Sequence, residues 1–392
     1  MGLLKNKKDW MTISLITVIS VAFGLFITNF LTGEITSMAA FTPGTTSNDY
    51  ETADFYENVR YRREKGSGRM TDIFIIPTDT LSRSDINKVL ERISRMENEP
   101  SVIAMDIIFK DRMSVDDTIV GTFNSLTCPV VMADILQVDS QGGFSHGTQA
   151  THFLGRLGEH VSIGAVNLPT NGNVIRYFKP FFPVDTLSVD CFAAAIARAV
   201  SPDKYDILKK RGKDKEMFHF PSIDEKEYRE AYQVLQDPDE LDAFLELAAG
   251  KILLFGDKEN ISDLHGSSVG NNVPGILFHV AILDTILCGT YVNNVGYFWI
   301  LLLSTLLVFI FTLSVFVSGE STLPGAKLLM RAFQFGNIIL LILCGSLLYV
   351  HANIYLKLGL PVLVVSLNYI SADVLRGIMG LFKPKKDKKS KS

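Results

Sequence analysis

Cysteine is scarce in this chain, and several well-known catalytic motifs are missing. The 392 residues include four cysteines, Cys128, Cys191, Cys288 and Cys344, which are too few and too scattered for a disulfide scaffold. We expect all four to be small core residues. The sequence predicts no Walker motif, no GxGxxG after a strand, no GxSxG nucleophile elbow and no HExxH site. These absences remove common kinds of nucleotide-binding and zinc-dependent enzyme, and no catalytic residue is predicted.

An excess of charge of one sign is also lacking. The 38 Lys and Arg residues against 42 Asp and Glu give a formal net charge of -4. No basic face large enough to bind nucleic acid stands out, because the obvious lysine cluster lies in 376–392, beside an apolar run. We expect this tail to anchor a membrane helix, with specific lipid recognition as the alternative.

Histidines in the spacing of a metal site are lacking as well. His146, His152 and His160 are spread through a loop-rich section without the close pairing of zinc motifs. No metal site is predicted, and the sequence leaves any cofactor unknown.

Long apolar runs, in contrast, are present at both ends of the chain. A helix that crosses a bilayer needs about 20 mostly apolar residues. The runs predict four transmembrane helices, one N-terminal and three C-terminal, at 11–33, 295–317, 332–350 and 354–375. The last is the least regular, since only the stretch between Lys357 and Asp373 is free of charge. A cleaved signal peptide is the alternative for the first run.

Basic residues predict how these helices are oriented. Lys and Arg concentrate in 1–10, in the short loop between the second and third spans, and in 376–392. Such flanks are enriched on the cytoplasmic side of membranes. With four spans all three flanks lie on one side, so we expect a multi-pass protein of the cytoplasmic (inner) membrane. Both termini are then cytoplasmic, and the main domain is extracytoplasmic.

The segment between the first two spans is predicted to hold one large α/β domain. Residues 34–69 are expected to form a stalk or loop, and 70–294 the domain itself. Short β-rich runs such as FIIPTD and SVIAMDIIF alternate with helical patterns such as SRSDINKVLERISRM, which favours a mostly parallel sheet. Residues 201–249 are charged and predominantly helical in pattern, and their role is left open.

Polar residues follow several predicted strands or lie in the loop before the last helix of the domain. They are Asp79, Asp106, Asp134, Asn167, Asp257, Asp263 and His265. Ligands of parallel sheets usually bind at the carboxyl ends of strands, where carboxylates can act as acid and base or hold a cation. The alternative for each aspartate is a helix cap or a turn former. His279 lies on an apolar helix and is expected to be a core residue.

Four stretches of the chain resemble the second type of CHASE domain, the cyclase- and histidine-kinase-associated sensory extracellular domain of bacteria. They are FIIPTDTL, VIAMDIIFKDRMSVDDTIVGTF, IGAVNLPTNGNVIRYF and the segment 250–292. The last is the most specific, because Asp263, His265, Pro274 and Gly275 have spacings like the family pattern. One N-terminal and three C-terminal membrane helices are also typical of the family. The turn 171–173, Asn-Gly-Asn, departs from it, since members often have an acidic residue there.

The resemblance implies a sensor and a set of ligand-binding candidates. These are Asp79, Asp106, Asp117, Asn167, Arg176, Asp263 and His265. The arginine suits an anionic group, and the acids suit a cation or hydroxyls. Family members usually continue into a cytoplasmic output enzyme, whereas this sequence stops soon after its last predicted span, so a partner is expected to carry the output.

The leading hypothesis is therefore a membrane-anchored sensory protein of bacterial signal transduction that is not itself an enzyme. Its expected partners are the lipid bilayer, an unidentified extracytoplasmic ligand and a signalling protein of the cytoplasm or membrane, with a homo-oligomer left open and nucleic acid excluded. The first alternative is a structural or docking subunit of a membrane complex. The second is an envelope hydrolase that uses the carboxylates, although no nucleophile with a base partner can be assigned.

Overall fold

The computed structural model describes residues 10–23, 25–26, 52–64, 72–109, 111–140, 143–147, 156–169, 174–184, 186–221, 237–319 and 325–366. The chain divides into two compact units, which are described separately. The central unit is Glu57–Val292, and the terminal unit combines Met1–Tyr56 with Asn293–Ser392.

The helices and strands are numbered in chain order. The helices are α1 (Trp10–Phe23), α2 (Thr52–Glu64), α3 (Arg83–Ile93), α4 (Asp116–Ser125), α5 (Phe192–Val200), α6 (Pro202–Arg211), α7 (Pro238–Leu247), α8 (Gly275–Cys288), α9 (Tyr297–Gly319), α10 (Ala326–Ala352) and α11 (359–366). The strands are β1 (Ile73–Pro77), β2 (Val102–Asp106), β3 (Val130–Asp134), β4 (Gln137–Val138), β5 (Phe144–Ser145), β6 (Val161–Ala165), β7 (Val174–Ile175), β8 (Tyr177–Phe178), β9 (Phe181–Val184), β10 (Leu187–Asp190), β11 (Glu216–Met217), β12 (Ile252–Gly256), β13 (Leu264–Ser267), β14 (Gly270–Pro274), β15 (Asn293–Asn294) and β16 (Ile354–Tyr355).

The centre of the central unit is a five-stranded sheet in which every strand runs parallel to its neighbours. Its order is β1-β12-β2-β3-β6. Strands β2 (VIAMD) and β12 (ILLFG) are apolar until their last residue, as expected for parallel strands that are covered on both faces. The predicted α/β fold with a mostly parallel sheet is confirmed.

Helices cover both faces of this sheet. On one face, α3, α4 and α7 contribute to a core that includes Leu90. On the other face, α5 and α8 contribute to a core that includes Phe278. Helix α3 begins with a capping box, in which the Ser82 side chain accepts a hydrogen bond from the Asp85 N–H and the Asp85 carboxylate accepts one from the Ser82 N–H. The helical period and this cap explain why α3 was predictable.

Smaller sheets complete the central unit. Their orders in the described residues are β10-β9-β5-β4, β14-β13-β7 and β11-β8. Strand β13 pairs antiparallel with β14 and parallel with β7. This arrangement fixes the loop between β12 and α8, which carries two of the predicted ligand-binding residues.

The described parts of the segment 201–249, residues 201–221 and 237–249, are integrated into the fold. Pro202 and Pro238 lie in the first turns of α6 and α7, where a missing backbone N–H costs little. Leu241 and Leu245 of α7 are buried in the core on the α3 face of the sheet. Residues 222–236 lie outside the described residues.

Part of the predicted stalk is a helix. Of residues 34–69, the structure describes 52–64, which form α2. Tyr56, Glu57 and Arg60 on this helix are each less than 5% exposed. Because two of these three buried residues are charged, the helix lacks the apolar stripe by which amphipathic helices are recognised. Residues 52–64 of the predicted stalk or loop are therefore helical, which the sequence pattern did not indicate.

The terminal unit contains two helices, α9 and α10, that are long and apolar enough to cross a membrane. The qualifying stretches in the described part of the chain are Tyr297–Ser314 and Ala332–Ala352. Helix α1 is apolar but shorter, and residues 27–33 of the predicted first span are not among those described. The predicted fourth span, 354–375, starts with β16 and α11, and 367–375 fall outside the described range. The structure thus shows two candidate spans where the sequence predicts four.

The cysteines differ in burial more than expected. All four are free, and Cys128 and Cys191 are buried, whereas Cys288 and Cys344 are exposed. The expectation of a core position was wrong for the last two, because Cys288 ends α8 and Cys344 lies on α10, away from the protein core.

Candidate functional site

Strand register brings the carboxyl ends of β1, β12 and β2 to one edge of the central sheet. Gly256 at the end of β12 pairs with Asp106 at the end of β2 and with the last residue of β1. Val102 and Ala104 belong to the core on the α8 face. Because side chains alternate along a strand, Asp106 points to that same face. A Cβ on Gly256 would lie 3.2 Å from the Cβ of Asp106, so the glycine allows the close approach.

Asp106 is largely buried, and its carboxyl group has no hydrogen bond to the residues that the structure describes. Its side chain is 15% exposed, and its Oδ2 lies 4.0 Å from Nε2 of His279, which is too long for a hydrogen bond. Burial, followed by the negative charges of Asp263 and Asp257, raises the pKa of Asp106 to about 7. Near neutral pH the carboxyl group is therefore populated in both protonation states.

His279 faces Asp106 from the second turn of α8. Its side chain is 5% exposed, and its ring packs edge-on against Phe192 at a centroid distance of 5.2 Å. Burial lowers the pKa of His279 to about 4; the charge of Asp263 opposes this shift, and His265 adds to it. The imidazole is neutral at pH 7, so one ring nitrogen donates and the other accepts.

Asp263 and His265 lie on the loop side of the same place. Asp263 ends the 3₁₀ turn Ile261–Asp263, and His265 is in β13. Nε2 of His265 is 3.4 Å from Oδ1 of Asp263. A Cβ on Gly275, the first residue of α8, would collide with the Asp263 carboxylate. The carboxylate thus lies against the N-terminus of α8, whose dipole favours a negative charge.

Asp257 and Asp79 close the edge next to β1. The Thr78 hydroxyl donates a hydrogen bond of 2.7 Å to Asp257 Oδ1. Asp79 Oδ1 accepts hydrogen bonds from the backbone N–H groups of Lys258 (2.7 Å) and Glu259 (2.5 Å). Oδ1 of Asp79 therefore stabilises the turn, one of the two roles considered for the strand-end acids, whereas Oδ2 is buried without a hydrogen bond to the described residues. We call Asp106, Asp257, Asp263, His265 and His279 the carboxyl-edge cluster.

Other predicted ligand-binding residues have structural partners elsewhere. Asp117 is exposed on α4 and pairs with Arg156 at 2.7 Å; this hydrogen bond and charge lower the pKa of Asp117. Asn167 accepts from the Leu136 N–H at 2.7 Å and donates to the Leu136 carbonyl at 2.8 Å, which ties together the ends of β3 and β6.

Arg176 is 4% exposed and follows β7, the strand that pairs with β13. Its backbone carbonyl accepts a hydrogen bond of 3.4 Å from the Phe218 N–H. Arg176 is thus buried beside the small sheets, next to core residues such as Ile175 and Phe218. Residues 170–173, which include the turn that departs from the family pattern, lie outside the described residues.

Metal-ligating geometry is absent from the residues that the structure describes. No three His, Cys, Asp or Glu side chains among them converge closely enough to hold a metal ion. The Asp134–His146 pair, with Oδ2 and Nδ1 at 2.8 Å, is a separate contact. The cluster therefore offers carboxylates and imidazoles to a ligand without being a preformed metal centre.

The sequence model of one protein family, described as CHASE2 domain, matches residues 69–318. This match covers more than half of the chain. The chain belongs to the CHASE2 domain family. CHASE2 is an extracellular sensory domain of signal-transduction proteins. No curated protein and no solved structure matches the chain.

Two members of the cluster in this CHASE2 domain were not among the predicted ligand-binding residues. Asp257 directly follows β12, and the sequence already placed it among the polar residues that follow predicted strands. His279 lies four residues after Gly275, and residues at that spacing share one face of a helix. Because Gly275 contacts Asp263, the same spacing indicates that His279 faces the acids. The apolar sequence around His279 predicted a core residue. That prediction accounts for the burial of His279 but not for its position opposite Asp106.

The CHASE2 domain also contains the letters of a nucleophile motif, G-x-S-x-G, at 266–270. A nucleophile elbow requires a turn from a strand into a helix. Here the pattern occupies the turn between the antiparallel strands β13 and β14. The serine at the nucleophile position of the pattern is Ser268, which lies in this turn between two strands and not at the start of a helix. The pattern therefore does not support a hydrolase.

Proposed function

We propose that this chain is a membrane-anchored sensor whose CHASE2 domain binds a small polar ligand at the carboxyl-edge cluster, outside the cytoplasm. The domain works as a receptor and performs no reaction. The carboxyl ends of parallel strands are a common place for ligands in α/β domains. The family supplies the sensory role, and the cluster supplies the chemistry of the site.

The observation that carries this proposal is the pair formed by Asp106 and His279. Buried polar side chains in proteins are nearly always hydrogen-bonded, yet these two face each other at 4.0 Å without a bond between them. Residues with strongly shifted pKa values are enriched at functional sites, and both members of this pair are shifted. A ligand that bonds to both would join two largely buried polar side chains that have no hydrogen bond to the described residues.

The proposal includes the membrane arrangement expected from the sequence. Four spans place both termini in the cytoplasm and the CHASE2 domain on the outside. Helices α9 and α10 support two of these spans, and the lysine-rich ends of the sequence support the orientation. A signalling protein in the membrane or cytoplasm carries the output. For this, the ligand has to bind one arrangement of the receptor more tightly than another.

Ligand binding at the cluster is tested with three forms of the full chain in lipid nanodiscs: wild type, Asp106→Asn and Asp117→Asn. A panel of small amines, acids and polyols is screened for slower hydrogen exchange in 257–279. We expect at least one compound to slow exchange in the wild type and in Asp117→Asn but not in Asp106→Asn. Asp117→Asn is the matched control, since it makes the same change at an exposed candidate residue.

A compound that protects 257–279 equally in all three forms would place the binding site elsewhere. If no compound of the panel acts on the wild type, the small-ligand proposal is contradicted, and docking becomes the better explanation of the domain.

Docking of an envelope protein is the second candidate, and exposed apolar residues on the four-stranded sheet favour it. Leu187 on the outer strand β10 is 75% exposed, and Val138 on the other outer strand, β4, is 59% exposed. Outer strands offer unpaired backbone groups to a partner. Crosslinking and co-purification in cells test this role. A stoichiometric partner that is lost with Leu187→Lys but retained with Asp106→Asn would support docking over sensing.

A further inference from the structure

We propose that the ligand of the carboxyl-edge cluster is an amine, and that its ammonium group bridges Asp106 and His279. The inference rests on the proposed binding site and adds the chemical class of the ligand. Three features carry it: the gap between the two side chains, the uncompensated charge around them, and the buried imidazole that points into the gap.

The gap fits a hydrogen-bonded atom better than a zinc ion. Zinc lies about 2.0–2.2 Å from histidine nitrogen or carboxylate oxygen, so two such ligands 4.0 Å apart would have to be almost in line across the metal. That is incompatible with tetrahedral coordination. An atom with hydrogen bonds of about 2.9 Å to both side chains spans the same gap at an angle near a right angle, which two N–H donors of one ammonium can approach.

The charge around the gap is negative. Asp106, Asp257 and Asp263 influence one another strongly enough to shift the pKa of Asp106. Within the described residues, no Lys or Arg side chain forms an ion pair with any of these three carboxylates. Carboxylates in such a place accept hydrogen bonds and favour a cation. A neutral hydroxyl would form similar hydrogen bonds but leave this charge uncompensated.

His279 gives an observation that does not depend on the acids. It comes from α8, is more than nine-tenths buried, has no hydrogen bond to the described residues, and directs Nε2 at Asp106. Since the imidazole is neutral, Nε2 can accept a hydrogen bond when the proton is on Nδ1. An ammonium group can then donate one hydrogen bond to Nε2 and another to the carboxylate.

Binding should depend on pH with a defined sign. The ammonium pairs with ionised Asp106, and its pKa near 7 means that protons compete with the ligand below neutrality. Affinity should rise between pH 6 and pH 8. The other titratable groups that face Asp106 are Asp257 after β12, Asp263 in the 3₁₀ turn, His265 in β13 and His279 in α8.

The test is titration calorimetry on the full chain in nanodiscs of neutral lipid. The amine probes are methylammonium, putrescine and spermidine; butane-1,4-diol and succinate match putrescine in length without its positive charge, and Zn²⁺ tests the metal alternative. We expect at least one amine to bind, more tightly at pH 8 than at pH 6, and the diol and succinate not to bind. Asp106→Asn should lower the affinity for the amine by about tenfold or more and abolish the pH dependence of binding.

His279→Gln should weaken the amine while leaving the pH dependence in place, and Asp117→Asn should change neither. Asp106→Asn retains the shape of the replaced side chain and His279→Gln keeps a polar side chain of similar length, and circular dichroism checks that both variants fold. Failure of all three amines to bind overturns the inference, as does amine binding that Asp106→Asn leaves unchanged.

Binding of the diol, succinate or Zn²⁺ in place of an amine, with a loss in Asp106→Asn, also overturns the amine inference. That outcome leaves the proposed sensory site standing, so the two proposals fail separately.

Discussion

Glu57 and Asp106 are both largely buried carboxylates of the central unit, but Glu57 accepts several hydrogen bonds, whereas Asp106 accepts none from the described residues. Glu57 accepts from Arg60 Nη2 at 2.7 Å and from the Phe220 N–H at 2.7 Å, and it lies 2.8 Å from His219 Nδ1. Arg60 in turn donates to the Phe220 carbonyl at 2.6 Å. The network ties α2 to the chain after β11.

The two environments shift the pKa values in opposite directions. Burial by itself raises the pKa of Glu57, but the charge and hydrogen bond of His219, and then those of Arg60, lower it well below its ordinary range. The pKa of Asp106 is raised to about 7, because burial is joined by two further negative charges. Burial alone therefore does not distinguish a structural acid from a site acid. The state of its hydrogen bonds does.

The largest effect should come from Glu57→Gln. Removing the buried Glu57 charge leaves the buried Arg60 with only the partly exposed Glu64 as a counter-charge, so the free energy of unfolding should fall by about 3–5 kcal/mol. Thermal unfolding of the full chain in nanodiscs, followed by circular dichroism, measures this. Lys88→Gln is the control, since the Lys88–Asp85 pair is exposed and its loss should cost less than about 1 kcal/mol. Equal effects of the two variants would remove the contrast between buried and exposed pairs.

The pH dependence of stability should separate Asp106 from His279. The raised pKa of Asp106 gives stability that is lost as pH rises towards about 7. The lowered pKa of His279 gives stability that is lost as pH falls from about 6.5 to about 4. These effects oppose each other in the wild type.

In a variant that lacks one of the two residues, the contribution of the other should change the free energy of unfolding with pH by up to about 3–4 kcal/mol. The free energy of unfolding of Asp106→Asn should rise as pH increases from 4 to 6.5. That of His279→Gln should fall as pH increases from 4 to 7. Melting temperatures at half-unit pH intervals measure both slopes. Parallel curves for the two variants would contradict the opposite shifts on which the comparison rests.

The smallest effect should come from Gly275→Ala, and its sign is informative. Glycine to alanine in a helix usually stabilises by up to about 1 kcal/mol, and Gly121→Ala on α4 should do so, because nothing lies within 4 Å of the added Cβ. At Gly275 the Cβ collides with the Asp263 carboxylate. We expect Gly275→Ala to lower the free energy of unfolding by about 1–3 kcal/mol. Only the Gly121→Ala variant should have a raised melting temperature. A stabilised Gly275→Ala would show that Asp263 moves freely.

The sequence predicted the sheet well, because its strands are apolar runs and its helices have a clear period. Helix α3 follows its capping serine, and β2 ends at Asp106 as the pattern indicated. Helix α2 was missed for a physical reason. Its buried face contains Glu57 and Arg60, and only their partners, more than a hundred residues further along the chain, make burial favourable.

The candidate site was predicted in part for a similar reason. The strand-end rule gives the edge of the sheet on which Asp106 lies, and the loop after β12 supplies Asp263 and His265. The rule cannot tell a turn former such as Asp79 from an open acid, because that depends on which backbone N–H groups the folded loop presents. His279 required knowing that α8 packs over the end of β2.

The position of β12 has a consequence for how the protein is made. This strand lies between β1 and β2, so the first two strands to be synthesised cannot pair with each other in the native sheet. Until residues 252–256 have emerged, both strands keep an open edge, and closing the sheet requires contacts between Ile73 and Ile252. Contacts so distant in sequence slow folding. Nascent chains that stop before β12 should therefore be trapped by chaperones or proteases, whereas chains that extend just beyond it should be protected.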